Sequence, residues 1–341
     1  VHASSDIVAL TRKPFDYTQD DVQVTCLAGA PECPTLNGMP ELPEVETIRR
    51  AIEPRIVGAH ITAISVQDAS VAAPDGPEFL QRAVGATVRA VLRRGKHLIL
   101  LLSGNSGIVV HLRMTGALFF CKPPAGMRVR AVLSFSNEER LLFADTRRLG
   151  KLQYYENLKP LLVRLGPEPL DEDFTAEALG RALSRHHIPI KAALLDQHII
   201  AGVGNMYADE ALFEARINPL TPAGALDQVQ VHRLWESIRS VLGRAIERQG
   251  ASVDTYWLPD GGRGTAHDAF CVAHRKGAPC PGCGLPIERL MLRKRGAYHC
   301  PRCQPLPVQE TPGRRHPTQP SPPTNTDTKR KPSTASRRPA Q

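Results

Sequence analysis

The sequence predicts an α+β fold made of one helix, a β-sandwich, a helical module and a small four-cysteine ribbon, in that order. Short β-rich runs separated by turns occupy residues 59–155, which is typical of a sandwich or barrel. Helix-forming residues dominate 171–248. Two Cys-x-x-C pairs follow, at 280–283 and 300–303. These three observations together indicate the architecture.

The composition is that of a chain able to bury a core, because 42% of its 341 residues are hydrophobic and 23% are charged. No window approaches 18 uninterrupted apolar residues, so a membrane span is excluded and no membrane partner is expected. The first residues lack the basic and apolar stretches of a secretory signal. The net charge of +9 favours a polyanionic partner.

The two ends differ from the middle of the chain. Residues 1–38 show no sustained period, so we interpret them either as an unstructured extension or as sequence upstream of a true start at Met39. Residues 305–341 carry nine prolines and no aromatic residue, which predicts a disordered basic tail. Its basic cluster 329–331 could touch nucleic acid, although a solvated linker is the preferred interpretation.

The first element is an amphipathic helix at 44–53, in which Val45, Ile48 and Ile52 share one face. Seven short β-rich runs follow it. They lie at 61–66, 87–92, 97–102, 107–112, 117–121, 129–135 and 141–143.

The helical module is predicted to contain helices at 171–183 and 190–200, one that begins near Asn205, and one at about 228–248. The segment Gly202-Val203-Gly204-Asn205 combines a tight turn with a helix-capping residue. Backbone amides exposed at such a helix start can bind a phosphate. An ordinary helix-turn-helix is the alternative interpretation.

Four of the eight cysteines form an ordered pattern: Cys280 and Cys283, then a gap of sixteen residues, then Cys300 and Cys303. Two such pairs suit tetrahedral thiolate ligation of one Zn²⁺. Disulfides are disfavoured, because a chain of this size without a secretory signal does not need them. Four cysteine ligands leave no open position for catalysis, so the zinc is expected to be structural.

Between the cysteine pairs, apolar residues alternate on both sides of Lys294-Arg295-Gly296, which predicts a hairpin with a basic tip. Such a tip could contact phosphates or enter a groove. A solvated basic turn is an equally good interpretation of this segment alone.

The segment Met39-Pro40-Glu41-Leu42-Pro43-Glu44-Val45-Glu46-Thr47 resembles the amino terminus of the formamidopyrimidine-DNA glycosylases. The resemblance covers 40–304 in the family's order. It continues through Arg94-Gly95-Lys96, His111-Leu112-Arg113-Met114-Thr115-Gly116, Asp145-Thr146-Arg147-Arg148-Leu149-Gly150, Leu194-Leu195-Asp196-Gln197, the segment 202–210, and the cysteine ribbon with Gln304 at its end.

The resemblance implies a catalytic β-sandwich domain at 39–168, a helix–two-turns–helix DNA-binding domain at 169–265 and a zinc finger at 266–304, with DNA in the cleft between the domains. The implied activity is that of a bifunctional base-excision repair enzyme. It would act as a DNA glycosylase and AP lyase on oxidised purines, such as 8-oxoguanine and formamidopyrimidines, in duplex DNA. We expect a monomer in the bacterial cytoplasm, associated with the nucleoid.

The resemblance also assigns roles to five catalytic residues. Pro40 would attack C1′ of the damaged nucleotide through its amino-terminal nitrogen, since an α-amino group of pKa roughly 8 has a useful neutral fraction. Glu41 would be the general acid at the sugar ring, and Glu44 would position the proline and the sugar. Lys96 would serve β-elimination and contact the lesion strand. Arg295 would grip the flanking phosphates and serve δ-elimination.

Seven further residues match DNA-contacting positions. Met114 and Arg147 would fill the space left by the flipped nucleotide. Leu149 stands where the family usually has Phe, and an aliphatic wedge can still part a base step. The positions expected to contact phosphates are Arg128, His186, Lys191 and Asn205.

In the sequence as written the nitrogen of Pro40 is an amide, which cannot attack. We expect that translation begins at Met39 and that this methionine is removed, or that residues 1–39 are cleaved off. A protein whose Pro40 stays blocked would bind lesions without cutting DNA. A glycosylase for oxidised pyrimidines is the other alternative, disfavoured because Pro40-Glu41-Leu42-Pro43-Glu44-Val45-Glu46 resembles the purine branch.

Overall fold

The computed structural model describes residues 39–253 and 255–306. The predicted extension 1–38 and almost all of the predicted tail lie outside the described residues. Among the helices that are described, none is long and apolar enough to cross a membrane.

Two four-stranded antiparallel sheets form the predicted sandwich. Its strands are β1 (Ile61–Val66), β2 (Val88–Arg94), β3 (His97–Leu102), β4 (Gly107–His111), β5 (Gly116–Phe119), β6 (Val129–Phe135), β7 (Arg140–Asp145) and β8 (Lys151–Tyr155). One sheet has the order β1-β6-β7-β5 and the other β2-β3-β4-β8. Side chains from both sheets enclose one apolar core. Strand β8 was not predicted, because it is an edge strand in which only Leu152 is buried.

The first helix, α1 (Leu42–Ile56), is longer at both ends than predicted. Its predicted face is buried in the sandwich core through Val45, Ile48 and Ile52. Leu42, at the first turn, instead belongs to the core of the helical module. Helix α1 therefore packs into both halves of the molecule.

Two short helices were not predicted: α2 (Pro77–Gln81), which packs on β1 and β8 of the sandwich, and α3 (Lys159–Val163), which follows β8. The helical module contains α4 (Ala176–Leu183), α5 (Ile190–Leu195), α6 (Asn205–Glu214) and α7 (Gln228–Glu247). The predicted start at Asn205 is confirmed. Helices α4 and α5 are shorter than predicted. Thr175 caps α4 by accepting a hydrogen bond from the Ala178 amide at 3.2 Å, and the Asp196 carboxylate ends α5 in a turn by accepting from the His198 amide at 2.9 Å.

The ribbon contains the predicted hairpin, with β9 (Glu288–Leu292) and β10 (Arg295–His299). Its two-residue turn is Arg293-Lys294, with φ of 46° and 62°. Arg295 therefore begins β10, opposite Leu292, and the predicted tip was placed one residue too late. Two-residue hairpin turns with positive φ usually contain Asn or Gly, which makes them recognisable in a sequence. Here the glycine, Gly296, lies in the strand under the Arg289 side chain.

Candidate functional site

Glu41 lies at the start of α1, where the sandwich and the helical module meet. Its side chain is 2% exposed, and its Oε1 accepts a hydrogen bond from the Met206 amide of α6 at 3.1 Å. Oε2 has no hydrogen-bond partner among the described residues. A Cβ on Gly204 would lie 2.1 Å from the Glu41 carboxyl carbon, so any side chain there would displace this carboxyl group. Pro40 precedes it and is also buried.

Burial raises the pKa of Glu41 to about 7, against the lowering effect of the Lys96 charge and with a further rise from Glu44. A large fraction of this carboxyl group is therefore protonated near neutral pH. A buried acid with one free oxygen and such a pKa suits a general acid.

Glu44, one turn further along α1, is held by donors from three directions. Its Oε2 accepts from the Glu41 amide at 2.8 Å, and its Oε1 accepts from the Ala251 amide at 2.8 Å and from the Tyr207 hydroxyl. Burial raises the pKa of Glu44, and these hydrogen bonds oppose the rise. Sequence reasoning missed Tyr207, whose only signal was its place two residues after the predicted helix start at Asn205.

Lys96 lies on the two-residue turn Gly95-Lys96 between β2 and β3, and Gly95 takes a φ of 55° there. The lysine is 6% exposed. Burial lowers the pKa of Lys96, the charge of Glu41 opposes this, and the charge of Arg295 lowers it further. The predicted catalytic residues Glu41, Lys96 and Arg295 are thus close enough to interact electrostatically.

A second residue that sequence reasoning missed is Glu168, in the segment that joins the sandwich to the helical module. Its Oε1 accepts from the Gly95 amide and from Arg94 Nη1 at 2.9 Å, and its Oε2 accepts from Arg93. Burial would raise the pKa of Glu168, but the charges of Arg93 and Arg94 outweigh it and lower the pKa. The pattern Pro-Glu-Pro at 167–169 was its only sequence signal.

Two loops at one end of the sandwich bring Met114 and Arg147 into contact. Arg147 Nη1 lies 3.6 Å from Met114 Sδ, and Leu149 beside them is 38% exposed. The fully buried carboxylate of Asp145 accepts from Thr115 in one loop and from the Arg147 amide at 3.0 Å in the other. Both loops therefore have the same anchor.

The predicted phosphate contacts do not share one environment. Arg128 is exposed and His186 is half-buried. Asn205 is the first residue of α6, and its Oδ1 has no hydrogen-bond partner among the residues described. Arg295 is exposed at the start of β10.

Lys191 differs from these residues, because it is completely buried. Its Nζ lies 2.7 Å from Asp209 Oδ1 and donates to the Gly296 carbonyl at 2.6 Å. It therefore supports the hairpin from inside, next to Arg295. A direct phosphate contact would require Lys191 to leave this ion pair.

The four ordered cysteines converge. The Sγ atoms of Cys280, Cys283, Cys300 and Cys303 all lie within 4.8 Å of one another and could hold a metal ion. All four are free thiols in the structure. Gln304 fastens this cluster to the helical module, since its side chain donates to the Ile217 carbonyl at 2.8 Å and accepts from the Cys300 amide at 2.9 Å.

Comparison with known proteins gives consistent results over the described residues. The model of the formamidopyrimidine-DNA glycosylase N-terminal domain matches residues 39–152, and the model of the H2TH domain of the same family matches 165–256. A formamidopyrimidine-DNA glycosylase from Symbiobacterium thermophilum is 43% identical over 276 residues, which is 79% of this chain and 90% of that protein. One from Thermus thermophilus is 42% identical, over 78% of this chain and 98% of that protein.

Solved structures agree with these matches. The crystal structure of MutM (Fpg) from Thermus thermophilus superposes with a TM-score of 0.72 at 40% identity, over 79% of this chain and all of that one. The Lactococcus lactis Fpg in complex with abasic-site DNA gives a TM-score of 0.71 at 33% identity, over 78% of this chain and 99% of that one. The chain is therefore a member of the formamidopyrimidine-DNA glycosylase family.

Proposed function

We propose that this protein is a base-excision repair DNA glycosylase with AP lyase activity, which removes oxidised purines such as 8-oxoguanine and formamidopyrimidines from duplex DNA. Its family membership supports the glycosylase activity and the damaged-DNA partner. The buried cluster around the start of α1 is the observation that carries the proposal, because it combines Pro40, a half-protonated Glu41 and Lys96.

The first chemical step is nucleophilic substitution at the damaged nucleotide. The Pro40 nitrogen attacks C1′, the bond from C1′ to the base breaks, and the N–H proton of Pro40 passes to the departing base. The bond from C1′ to the ring oxygen then breaks, which leaves an iminium ion between Pro40 and C1′. Glu41 supplies the proton to the sugar ring oxygen, which its pKa of about 7 permits at neutral pH. Pro40 can attack only as a free terminal amine, so the active form of the protein begins at Pro40.

Elimination then breaks the strand on both sides of the sugar. The iminium acidifies the C2′ proton, which passes to the Glu41 carboxylate left by the first step as the bond from C3′ to the 3′ phosphate breaks. Loss of the C4′ proton to water then breaks the bond from C5′ to the 5′ phosphate. Lys96 donates a proton during β-elimination, and its depressed pKa makes that proton easier to transfer. Arg295 holds the flanking phosphates and assists δ-elimination. Glu44, with its three donors, positions Pro40 and Glu41.

The remaining predicted residues bind the duplex. Met114 and Arg147 enter the space of the flipped nucleotide, with Leu149 as an aliphatic wedge. Arg128, His186 and Asn205 contact phosphates, and Lys191 holds the hairpin that carries Arg295. The protein acts as a monomer in the bacterial cytoplasm, where its DNA partner would bring it to the nucleoid. The relatives described above are bacterial proteins, which supports the bacterial setting.

The cysteine cluster holds one Zn²⁺, for which four convergent thiols are the preferred ligand set. The ion makes the hairpin rigid and supplies no chemistry to bond breaking.

The domains of the protein are the catalytic sandwich at 39–168, the DNA-binding module at 169–265 and the zinc finger at 266–304.

Borohydride trapping on a duplex with 8-oxoguanine opposite cytosine tests the proposal. One form of the protein begins at Pro40, as confirmed by mass, and the other is the full chain. We expect a covalent adduct with the short form alone. An adduct with the intact full chain would rule out Pro40 and point to Lys96. No adduct and no strand cleavage with either form would favour a protein that only binds lesions, and a duplex with an oxidised pyrimidine tests the other alternative.

A further inference from the structure

We propose that Glu168 is a positioning residue that fixes the position of Lys96 relative to Glu41. The inference builds on the proposed function, because it concerns the same site. It rests on the hydrogen bonds of one buried carboxylate and on the backbone bonds of the segment around it.

Glu168 binds the Lys96 turn at its base. Its carboxylate is 7% exposed and accepts from Gly95, Arg94 and Arg93, the three residues before Lys96. Arg94 is fixed further, since its Nη2 donates to the Leu165 carbonyl at 2.8 Å and to the Gly166 carbonyl at 2.6 Å. The turn is therefore fastened to the segment 165–168 and has little freedom to shift alone.

The same segment is fastened to the element that holds Glu41. The Gly166 amide donates to the Gln197 carbonyl at 2.8 Å, and the Ala201 amide donates to the Pro167 carbonyl at 3.0 Å. The Leu42 amide of α1 in turn donates to the Gly202 carbonyl at 3.1 Å. Hydrogen bonds and short stretches of backbone thus connect the Lys96 turn, through Glu168 and its neighbour Pro167, to Leu42, the residue after Glu41.

Close packing supports this connection. A Cβ on Gly95 would lie 3.4 Å from the Gly202 nitrogen and 3.5 Å from the Ala201 Cβ, so the Lys96 turn lies directly against the turn before α6. An acid and an ammonium group that cooperate must keep their separation to within about 0.5 Å. Glu168 holds the Lys96 turn through its carboxylate, and the backbone next to it holds the turn before α6.

The test measures Lys96 itself, in the full chain and without DNA. Trinitrobenzenesulfonate reacts with the neutral amine, and peptide mass mapping gives the pH midpoint of Lys96 labelling. We compare Glu168→Asp and Glu168→Gln with the parent protein. Glu156→Gln is the matched control, because Glu156 is 72% exposed and pairs with Arg82 on the surface.

If Glu168 positions the turn, both variants loosen it and admit water to Lys96. The midpoint then rises towards the ordinary lysine value, because hydration favours the charged amine. Removing a negative charge alone would lower the midpoint instead, and Glu168→Asp keeps the charge, so the sign separates the two causes. The control should keep the parental midpoint.

The single-turnover rate of 8-oxoguanine excision gives a second readout, in forms of the same variants that begin at Pro40. We expect a fall of about 10- to 100-fold with little change in the half-saturating DNA concentration. A folded Glu168→Asp protein with the parental Lys96 midpoint overturns the inference. If Glu168→Gln fails to fold, Glu168→Asp decides. A parent protein without excision activity would refute the proposed function, while the labelling result would still decide the role of Glu168.

Discussion

The guanidinium group of Arg147 donates to Met114 Sδ across 3.6 Å, although 33 positions separate the two residues in the sequence. Their loops meet because Asp145 binds both, through the Thr115 hydroxyl and through the Arg147 and Gly150 amides. The pair proposed to enter the duplex is therefore assembled before DNA arrives. This arrangement reduces the ordering that binding requires.

Asp145→Asn should misalign this pair. The amide nitrogen of Asn would face a backbone donor, which costs about 1–3 kcal/mol of the free energy of unfolding. We expect excision to fall by about 10- to 100-fold, because small misplacements of contacting loops have large kinetic effects. Denaturant unfolding and single-turnover excision opposite cytosine and adenine measure both effects. The exposed Asp173→Asn is the control, and a parental excision rate in Asp145→Asn would refute the shared anchor.

The raised pKa of Glu41 predicts a pH-dependent stability difference. The folded state binds the Glu41 proton more tightly than the unfolded state, so its stabilising effect is complete below about pH 4.5 and is lost as pH rises through about 7. Glu41→Gln resembles the protonated form and does not ionise, so its stability is not lowered in this pH range. Between pH 4 and pH 8, we expect the free energy of unfolding of this variant to rise by on the order of 3 kcal/mol relative to that of the parent.

Urea unfolding of both proteins at several pH values measures this difference. Comparing the two proteins removes the contribution of Asp209, whose pKa burial also raises to about 7. A difference that does not change with pH would mean that Glu41 is ionised throughout the range. Excision by the parent should also decline above about pH 7, and Glu41→Gln should lose most of its activity at every pH.

Tyr207→Phe removes the hydroxyl that donates to Glu44 Oε1. Because the buried carboxylate keeps the Ala251 and Glu41 amides as donors, we expect a loss of about 1–3 kcal/mol in the free energy of unfolding and a folded protein. The rate of adduct trapping should fall more than DNA affinity does. Tyr154→Phe, in the edge strand β8, serves as the control. Equal losses in both variants would argue against a special role for Tyr207.

Metal analysis should find one zinc per chain, bound by the four-cysteine cluster. Cys303→Ala or a strong chelator should remove the zinc, weaken duplex binding and lower the melting temperature, since the hairpin that carries Arg295 loses its support. Cys121→Ser is the matched control, because Cys121 is an exposed thiol outside the cluster. Retention of the zinc by Cys303→Ala would contradict the predicted ligand set.

Lys191 and Arg128 should respond differently to salt. Arg128→Ala removes an exposed charge, so the slope of log affinity against log salt should become shallower by about 0.9. Lys191→Met should leave that slope unchanged and destabilise the fold by about 3–5 kcal/mol, because Asp209 stays buried without its partner. If the slope becomes shallower in Lys191→Met, this lysine does contact a phosphate directly.

The elements predicted correctly from the sequence are those with a strong local signal. The apolar face of α1 is indicated by its periodicity, the strands by their short Val-, Leu- and Ile-rich runs, and the cysteine cluster by its spacing. The hairpin turn was misplaced because Arg293 and Lys294 adopt positive φ without Gly or Asn.

The partners of the site residues could not be predicted in the same way. Glu168 meets Gly95 across 73 positions and Tyr207 meets Glu44 across 163. Contacts between such distant positions do not affect the local composition of the sequence, so they cannot be predicted from it. Likewise, only the fold reveals that Lys191 is buried against Asp209, since a lysine in a sequence favours the surface.

Helix α1 buries Leu42 in one core and Val45, Ile48 and Ile52 in the other. The proposed cleavage on both sides of a nucleotide would be harmful to a genome if a damaged copy of the protein stayed reactive. Here a copy that loses either half also loses the support of α1, and with it the acid next to Pro40. Unfolding of either half is therefore expected to abolish the proposed strand cleavage.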